Sequence, residues 1–260
     1  MQILADLFSH RSILYSSVVQ GVLKKTSGNA LGLFWLVLYP VLFLGMYSIV
    51  FVHILQVKVP GSSPVSYVLM IFSGLVPFLA FAEAFGAGAT SIVANRDLVM
   101  NTLFPIELVV ARDVLVGHIT MGVGMLLLLA GAAYFHGIHW AFLLIPLIYI
   151  LQIIMILGVV WLVATLTVFF RDIQQAVPIV VLFLMMVSPI GYSAEMVPEN
   201  LKGFLWANPL AWFIELYRAC LLDGVFPFKD LAIVAVSSIA SFTLGGAFIR
   251  RLKPLFSDYV

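Results

Sequence analysis

The chain opens on a mixed stretch and then turns into a succession of long apolar runs. Within residues 1–30, Ile3, Leu4, Leu7, Phe8, Ile13, Leu14, Val18, Val19 and Leu23 return at helical spacings with polar residues between them. That pattern predicts an amphipathic helix suited to the headgroup layer of a bilayer or to the face of a partner. Apolar runs follow at 31–55, 65–85, 108–134, 141–170, 173–192 and 231–249. Each can cover the hydrocarbon core, which takes about 20 helical residues. None shows the strict alternation of a barrel strand, and backbone groups in lipid must be satisfied within the segment, so helices are predicted. The expectation is an all-α protein with six spans over 31–260. Gly74 and Pro77 predict a break in the second run.

Two connections are too structured for plain linkers. Residues 86–107 join the second and third runs; 193–230 join the fifth and sixth. The latter holds an apolar stretch from Leu210 to Leu222, interrupted by Glu215 and Arg218. It is too short and too charged to span, so a pair of half-inserted, re-entrant helices is predicted. Glu215 and Arg218 lie three apart on one helical face, which favours a mutual ion pair. There is no internal repeat and no low-complexity tract.

Composition makes lipid the solvent. Hydrophobic residues are 63%, charged residues 10%, and mean hydropathy is +1.15. Soluble domains carry roughly 45–50% apolar and about 25% charged residues. With both termini placed in the cytoplasm, the inside basic set is Arg11, Lys24, Lys25, Arg96, Arg112, Arg171, Arg250, Arg251 and Lys253. Only Lys58, Lys202, Arg218 and Lys229 fall outside, in keeping with the positive-inside rule. The N-terminus lacks the continuous apolar core and cleavage site of a signal peptide, so it is expected to persist in the mature protein. A net charge of +1 gives no reason to expect nucleic acid.

Reactive chemistry is sparse. No phosphate-binding G-x-x-x-x-G-K-[ST] loop occurs; the nearest imitation, Gly21 to Ser27, lacks the second glycine. ATP hydrolysis is not expected of this chain, and no catalytic residue is assigned. His136 and His139 flank a short turn without a third ligand in sequence reach, so no metal site is assigned. Cys220, the single cysteine, excludes an internal disulfide and suits a packed segment. Glu83 is an acid set inside a span. It fits either a snorkelling or helix-paired carboxylate or a substrate contact.

Aromatics carry the positive signal. Trp35, Tyr39, Phe43, Tyr47 and Phe51 recur every four residues along the first run. Four helical steps turn about 400°, so the stripe drifts only about 40° per interval. Tryptophan and tyrosine usually sit at the interfaces rather than in mid-membrane. The spacing fits lipid-facing or packing rings, and equally a path on which the C–H faces of sugar rings stack.

A set of ordered motifs then resembles a known family. It runs from Ser27-Gly28-Asn29-Ala30-Leu31-Gly32-Leu33-Phe34-Trp35 with Tyr39-Pro40, through Gly74-Leu75-Val76-Pro77-Phe78 with Phe81 and Glu83. It continues with Ser91-Ile92-Val93-Ala94-Asn95, Leu98-Val99 and Phe104-Pro105, then Phe170-Arg171-Asp172-Ile173 and Ser188-Pro189-Ile190 with Tyr192. Met196-Val197-Pro198-Glu199, Asn208-Pro209-Leu210, Tyr217-Arg218 and the tail from Leu252 to Tyr259 complete it. Together these resemble the permease subunit of type-2 ABC exporters of bacterial surface polysaccharide, which serve O-antigen, capsule and teichoic acid. Met100-Asn101-Thr102 stands where relatives often carry basic residues, and Met185-Met186 where aromatics are expected.

The resemblance implies the type-2 exporter fold, a homodimer, and two copies of a separate cytoplasmic ATPase that binds ATP and magnesium. It implies the bacterial inner membrane, with a lipid-linked glycan as substrate. The path would run along the first and fifth spans past Trp35, Tyr39, Phe43, Tyr47, Phe51, Phe183 and Tyr192. ATPase contact would fall on Asn95, Arg96, Asp97, Leu98, Phe104, Pro105, Arg171 and Asp172. An external gate would include Asn208, Pro209, Trp212, Glu215 and Arg218. The same architecture also fits a permease for a drug, haem or small lipid. A membrane-embedded transferase would need clustered acids or histidines, and Glu195, Glu199, Glu215 and Asp223 meet that need only in number.

Overall fold

A computed structural model describes residues 2–54, 56, 63–97, 105–193 and 196–258. Among the described residues the chain is helical and contains no strand. The opening segment forms α1 (Gln2–Ser9) and α2 (Arg11–Thr26), separated at His10. The first apolar run forms α3 (Trp35–Ser48), entered through a 3₁₀ turn at Gly32–Phe34 and left through a π turn at Ile49–Ile54. Three longer helices follow in α4 (Pro64–Ala94), α5 (Ile106–His136) and α6 (Ile145–Phe169). Then come α7 (Ile173–Val187), the short α8 (Lys202–Ala207), α9 (Pro209–Arg218) and α10 (Phe228–Leu252).

Among the described residues, four helical stretches are long and apolar enough to cross a membrane: Pro64–Ala94, Ile106–His136, Trp140–Phe169 and Phe228–Phe256. Gly32–Ser48 and Ile173–Val187 are apolar but shorter. At 1.5 Å per residue, the 15 residues of α7 rise about 22 Å, less than the roughly 30 Å of hydrocarbon. The fifth run, expected to continue to Tyr192, stops being helical at Val187. Pro189 has no N–H to donate and drives Ser188 into extended backbone (ψ 140°).

The break expected at Gly74 and Pro77 does not occur; α4 is one helix. Proline there forfeits the one ladder bond to the Ser73 carbonyl while the turns on either side stay helical, and Gln152 of α6 separately donates from Nε2 to the Pro77 carbonyl at 2.8 Å. Gly74 serves close approach instead, since a Cβ there would lie 3.1 Å from Ile190 Cα. The second long helix also runs past its expected end at 85 to Ala94, so the connection to α5 is shorter than 86–107. The small residues assigned to that connection, Gly88 and Ala89, are buried, with Val160 and Val114 beside Gly88.

Helix α4 is the hub. It packs along α5 and α6 and also carries α3, α7 and α9. Residues 71–78 are buried on every side, as suits a helix apolar all round. Helix α10 lies along α6, and α2 crosses α5. Helices α3 and α7 flank α4 and leave apolar faces open, Leu42 and Met46 on one, Ile179, Leu182 and Met186 on the other. The two ends of the chain are tied down by charge. Arg250 meets Asp6 at 3.2 Å, and Lys253 reaches the buried Glu107 at 3.0 Å.

Candidate functional site

The aromatic positions of α3 form one continuous face. Tyr39 and Phe43 have ring centroids 5.3 Å apart, and Phe43 and Tyr47 stack at 5.6 Å with 25° between planes. Phe43 and Tyr47 are half-buried against the core, whereas Trp35 and Tyr39 are 39% and 43% exposed. The ladder is thus backed by protein along one edge and open along the other. Position 51 continues the helix, but the Phe51 ring lies outside the described side chains.

At its N-terminal end the ladder opens onto a cleft of about 480 Å³, bounded by α2, α3, α4 and α5. Trp35 and Tyr39 form its aromatic wall. Facing them is a polar triad drawn from three helices. Lys25 of α2 pairs with Glu83 of α4 at 2.5 Å, and Thr120 of α5 donates to both Glu83 oxygens at 2.8 and 2.9 Å. Glu83, left open in the sequence between pairing and substrate contact, is a paired carboxylate on the wall of a cleft. Neither Lys25 nor Thr120 stood out as its partner, because nothing local links residues 25, 83 and 120.

The region 193–230 is organised by two buried polar side chains. Asn208 caps α9, accepting from the Leu210 N–H at 3.0 Å, while its amide donates to Ser188 Oγ at 2.9 Å. Pro209 occupies the first helical turn, where its missing N–H costs nothing. Arg218 donates to the carbonyls of Ile190 (2.8 Å), Tyr192 (3.0 Å) and Pro189, and pairs with Glu215 at 3.2 Å. The turn after α7 is thereby fastened to α9. Burial raises the Glu215 carboxyl above its ordinary range, opposed by the Arg218 charge. Trp212 stands beside Trp206, a residue the sequence did not single out; two tryptophans bracketing an Asn-Pro cap was the available signal.

Replacing Asn208 with alanine removes the cap and leaves Ser188 Oγ, itself buried, without that donor. A loss of about 1–2 kcal/mol is expected, read as a lower thermal midpoint of the detergent-solubilised protein. An unchanged midpoint would show that the cap does not hold the α7–α9 junction.

The other residues assigned from sequence are spread more widely. Phe183 is exposed on α7, and Tyr192 follows it, its hydroxyl donating to the Val187 carbonyl at 2.7 Å. The helix that carries Phe183 and the helix that carries the ladder both pack on α4. Asn95 ends α4, donates to the Ser91 carbonyl at 2.7 Å and accepts from Arg112 at 3.4 Å. Arg96 and Asp97 are exposed just beyond it, and Pro105 precedes α5. Leu98 and Phe104 lie outside the described residues. Arg171 and Asp172 form the tight turn between α6 and α7. Among the described residues no group of three or more metal-ligating side chains comes together.

Comparison with known sequences adds an independent line. Residues 14–222 match the family described as ABC-2 type transporter. The chain is 26% identical over 240 residues to an O-antigen export system permease protein RfbA of Klebsiella pneumoniae, covering 90% of this chain and 89% of that one. It is 24% identical over 256 residues to the RfbA of Myxococcus xanthus, covering 96% of each. It is also 27% identical over 223 residues to the polysialic acid transport protein KpsM of Escherichia coli, covering 84% of this chain and 83% of that one.

Proposed function

The chain belongs to the ABC-2 type transporter family, and from that premise we propose that it is the membrane permease of an ATP-driven exporter of bacterial surface polysaccharide. The substrate is a lipid-linked glycan moved from the cytoplasm across the inner membrane. The chain itself is a transport subunit without enzymatic activity. A separate cytoplasmic subunit, present in two copies, binds ATP and magnesium and hydrolyses the nucleotide.

In this reading the chain crosses the bilayer six times with both termini in the cytoplasm. Helices α3 and α7 complete their crossings with the turns that flank them, and α1–α2 lie in the cytoplasmic headgroup layer. Residues 193–230 re-enter from outside as a gate built on Asn208, Pro209, Trp212, Glu215 and Arg218. The ATPase docks on the α4–α5 connection, with Asn95, Arg96, Asp97, Leu98, Phe104 and Pro105, and on the Arg171-Asp172 turn.

Two copies make the conduit. Helices α3 and α7 both pack on α4 and both keep open faces, and a two-fold axis that set the α3 of one protomer against the α7 of the other would cover them. Trp35, Tyr39, Phe43, Tyr47 and Phe51 would then line the passage with Phe183 and Tyr192. A hydroxyl-rich polymer entering hydrocarbon loses hydrogen bonds at roughly several kcal/mol each. A wet passage removes that barrier, and aromatic faces supply stacking that does not compete with the hydroxyls for water.

The observation that carries the reading is the ladder, one edge backed by protein and the other open, ending on a cleft. Replacing Trp35, Tyr39 and Tyr47 together with alanine is expected to reduce surface glycan at least about tenfold, at unchanged membrane level of the protein. Normal surface glycan in that variant would take the ladder out of the mechanism.

A further inference from the structure

A second cleft, of about 370 Å³, lies where α8, α9 and the start of α10 meet. Its volume falls in the range of small-molecule sites, about 300–1,000 Å³. Trp206 and Trp212 form one wall; Glu215, Asp230 and Lys202 form the rest of its polar lining. We propose that this cleft is a saccharide-binding subsite that holds a sugar residue of a neutral, hydroxyl-rich glycan on the far side of the membrane path. The proposal rests on the export reading, because it places glycan at that end of the protein.

The wall is held in place by its own contacts. The two indoles meet edge to face, with centroids 4.7 Å apart and 79° between planes. Trp212 donates from Nε1 to the Trp206 carbonyl at 3.1 Å, which fixes its ring. Trp206 remains 62% exposed. An exposed indole beside a locked neighbour presents a flat apolar face to the cleft, and the C–H face of a pyranose ring complements it. A tryptophan anchoring to headgroups uses its N–H at the interface, whereas the Trp212 N–H is committed to backbone.

The polar lining selects the class of ligand. Glu215 engages Arg218 through Oε1, which fixes the carboxylate, and carboxylates are strong acceptors for hydroxyl donors. Asp230 adds a second carboxylate. Two acids facing the cleft disfavour an acidic sugar. Lys202, though paired with Glu199, places an ammonium on the same lining, which disfavours a quaternary ammonium ligand. The aromatic rings also occupy one wall rather than enclosing the space as a cation cage requires. A neutral sugar satisfies both the ring face and the acceptors.

The test uses the full-length protein in lipid nanodiscs and fluorescently labelled neutral hexasaccharides of mannose, galactose and glucose. At least one is expected to bind, and Trp206→Ala to weaken that binding roughly tenfold. Trp206→Phe keeps a ring face and is expected to stay within about threefold of the parent, and Asp230→Asn to fall between the two. Because Trp206 is exposed, the alanine variant should keep the parent thermal midpoint. Absence of binding by all three sugars, unchanged affinity in Trp206→Ala, or displacement of bound sugar by choline would each overturn the proposal. Normal export by the Trp35, Tyr39 and Tyr47 triple-alanine variant, with sugar binding intact, would instead sink the conduit reading and leave the subsite standing.

Discussion

Arg218→Met is expected to abolish recovery of a folded, monodisperse protein, or to lower its thermal midpoint further than any single substitution in the ladder. The guanidinium is 6% exposed and serves the carbonyls of Pro189, Ile190 and Tyr192 together with Glu215. A longer contact, 3.4 Å, reaches the Met70 carbonyl in α4. Methionine fills similar space and leaves these acceptors without a donor. Each buried acceptor stranded costs about 1–3 kcal/mol, and breaking a buried ion pair from one side costs about 3–5 kcal/mol. Total stability is only about 5–15 kcal/mol, so the sum is large enough to unfold this region. Lysine keeps the charge but lacks the planar fork, so Arg218→Lys should be only partly tolerated. The Arg218→Met, Glu215→Leu double variant should recover part of the loss, because no unpaired carboxylate then remains. Size-exclusion profiles and thermal midpoints in detergent read all of these. A parent-like midpoint for Arg218→Met would show that the turn after α7 is held by something else.

Gly158→Leu is expected to separate α6 from α10, with a loss of at least about 3 kcal/mol. A Cβ on Gly158 would lie 2.3 Å from the Ser241 carbonyl carbon and oxygen, and one on Gly245 would lie 2.0 Å from the Gly158 oxygen. The obstacles are backbone atoms, which cannot swing aside as a flexible side chain does. Between apolar helices in lipid, close backbone approach is the main source of association, and small residues make it available. Once the pair parts, the Ser241 hydroxyl loses the Met155 carbonyl at 2.9 Å, and Trp161 loses Phe242 at 5.0 Å. Even Gly158→Ala should be damaging for the same reason. The control is Gly45→Ala in α3, where the added Cβ meets open space and alanine is the better helix former by about 1 kcal/mol. A thermal midpoint for Gly158→Leu equal to that of Gly45→Ala would refute the backbone-contact account.

These effects were unequally visible in the sequence. The four-residue aromatic recurrence from Trp35 gave the ladder directly, because helical geometry converts that spacing into one face. The three-residue spacing of Glu215 and Arg218 likewise gave their ion pair. By contrast Pro77, which reads as a breaker, sits inside an unbroken helix that packs along α5 and α6, and its ring costs that helix only the one ladder bond to the Ser73 carbonyl. Gly88 and Ala89 fall in a stretch assigned to a connection, yet they are buried in helix α4, where Val160 of α6 and Val114 of α5 crowd any side chain added at Gly88.

The chain's order of residues thus carried the local and one-dimensional part: lipid as solvent, helices as the spanning element, and which residues share a helical face. These depend on composition and on spacings within a turn or two. Which distant groups meet came from the packing of the helices alone: Lys25 and Thr120 at Glu83, the carbonyls after α7 at Arg218, Trp206 against Trp212. Those meetings depend on how closely and at what angle helices cross. That is set by backbone contacts such as Gly158 against Ser241, and no periodicity along the chain encodes them.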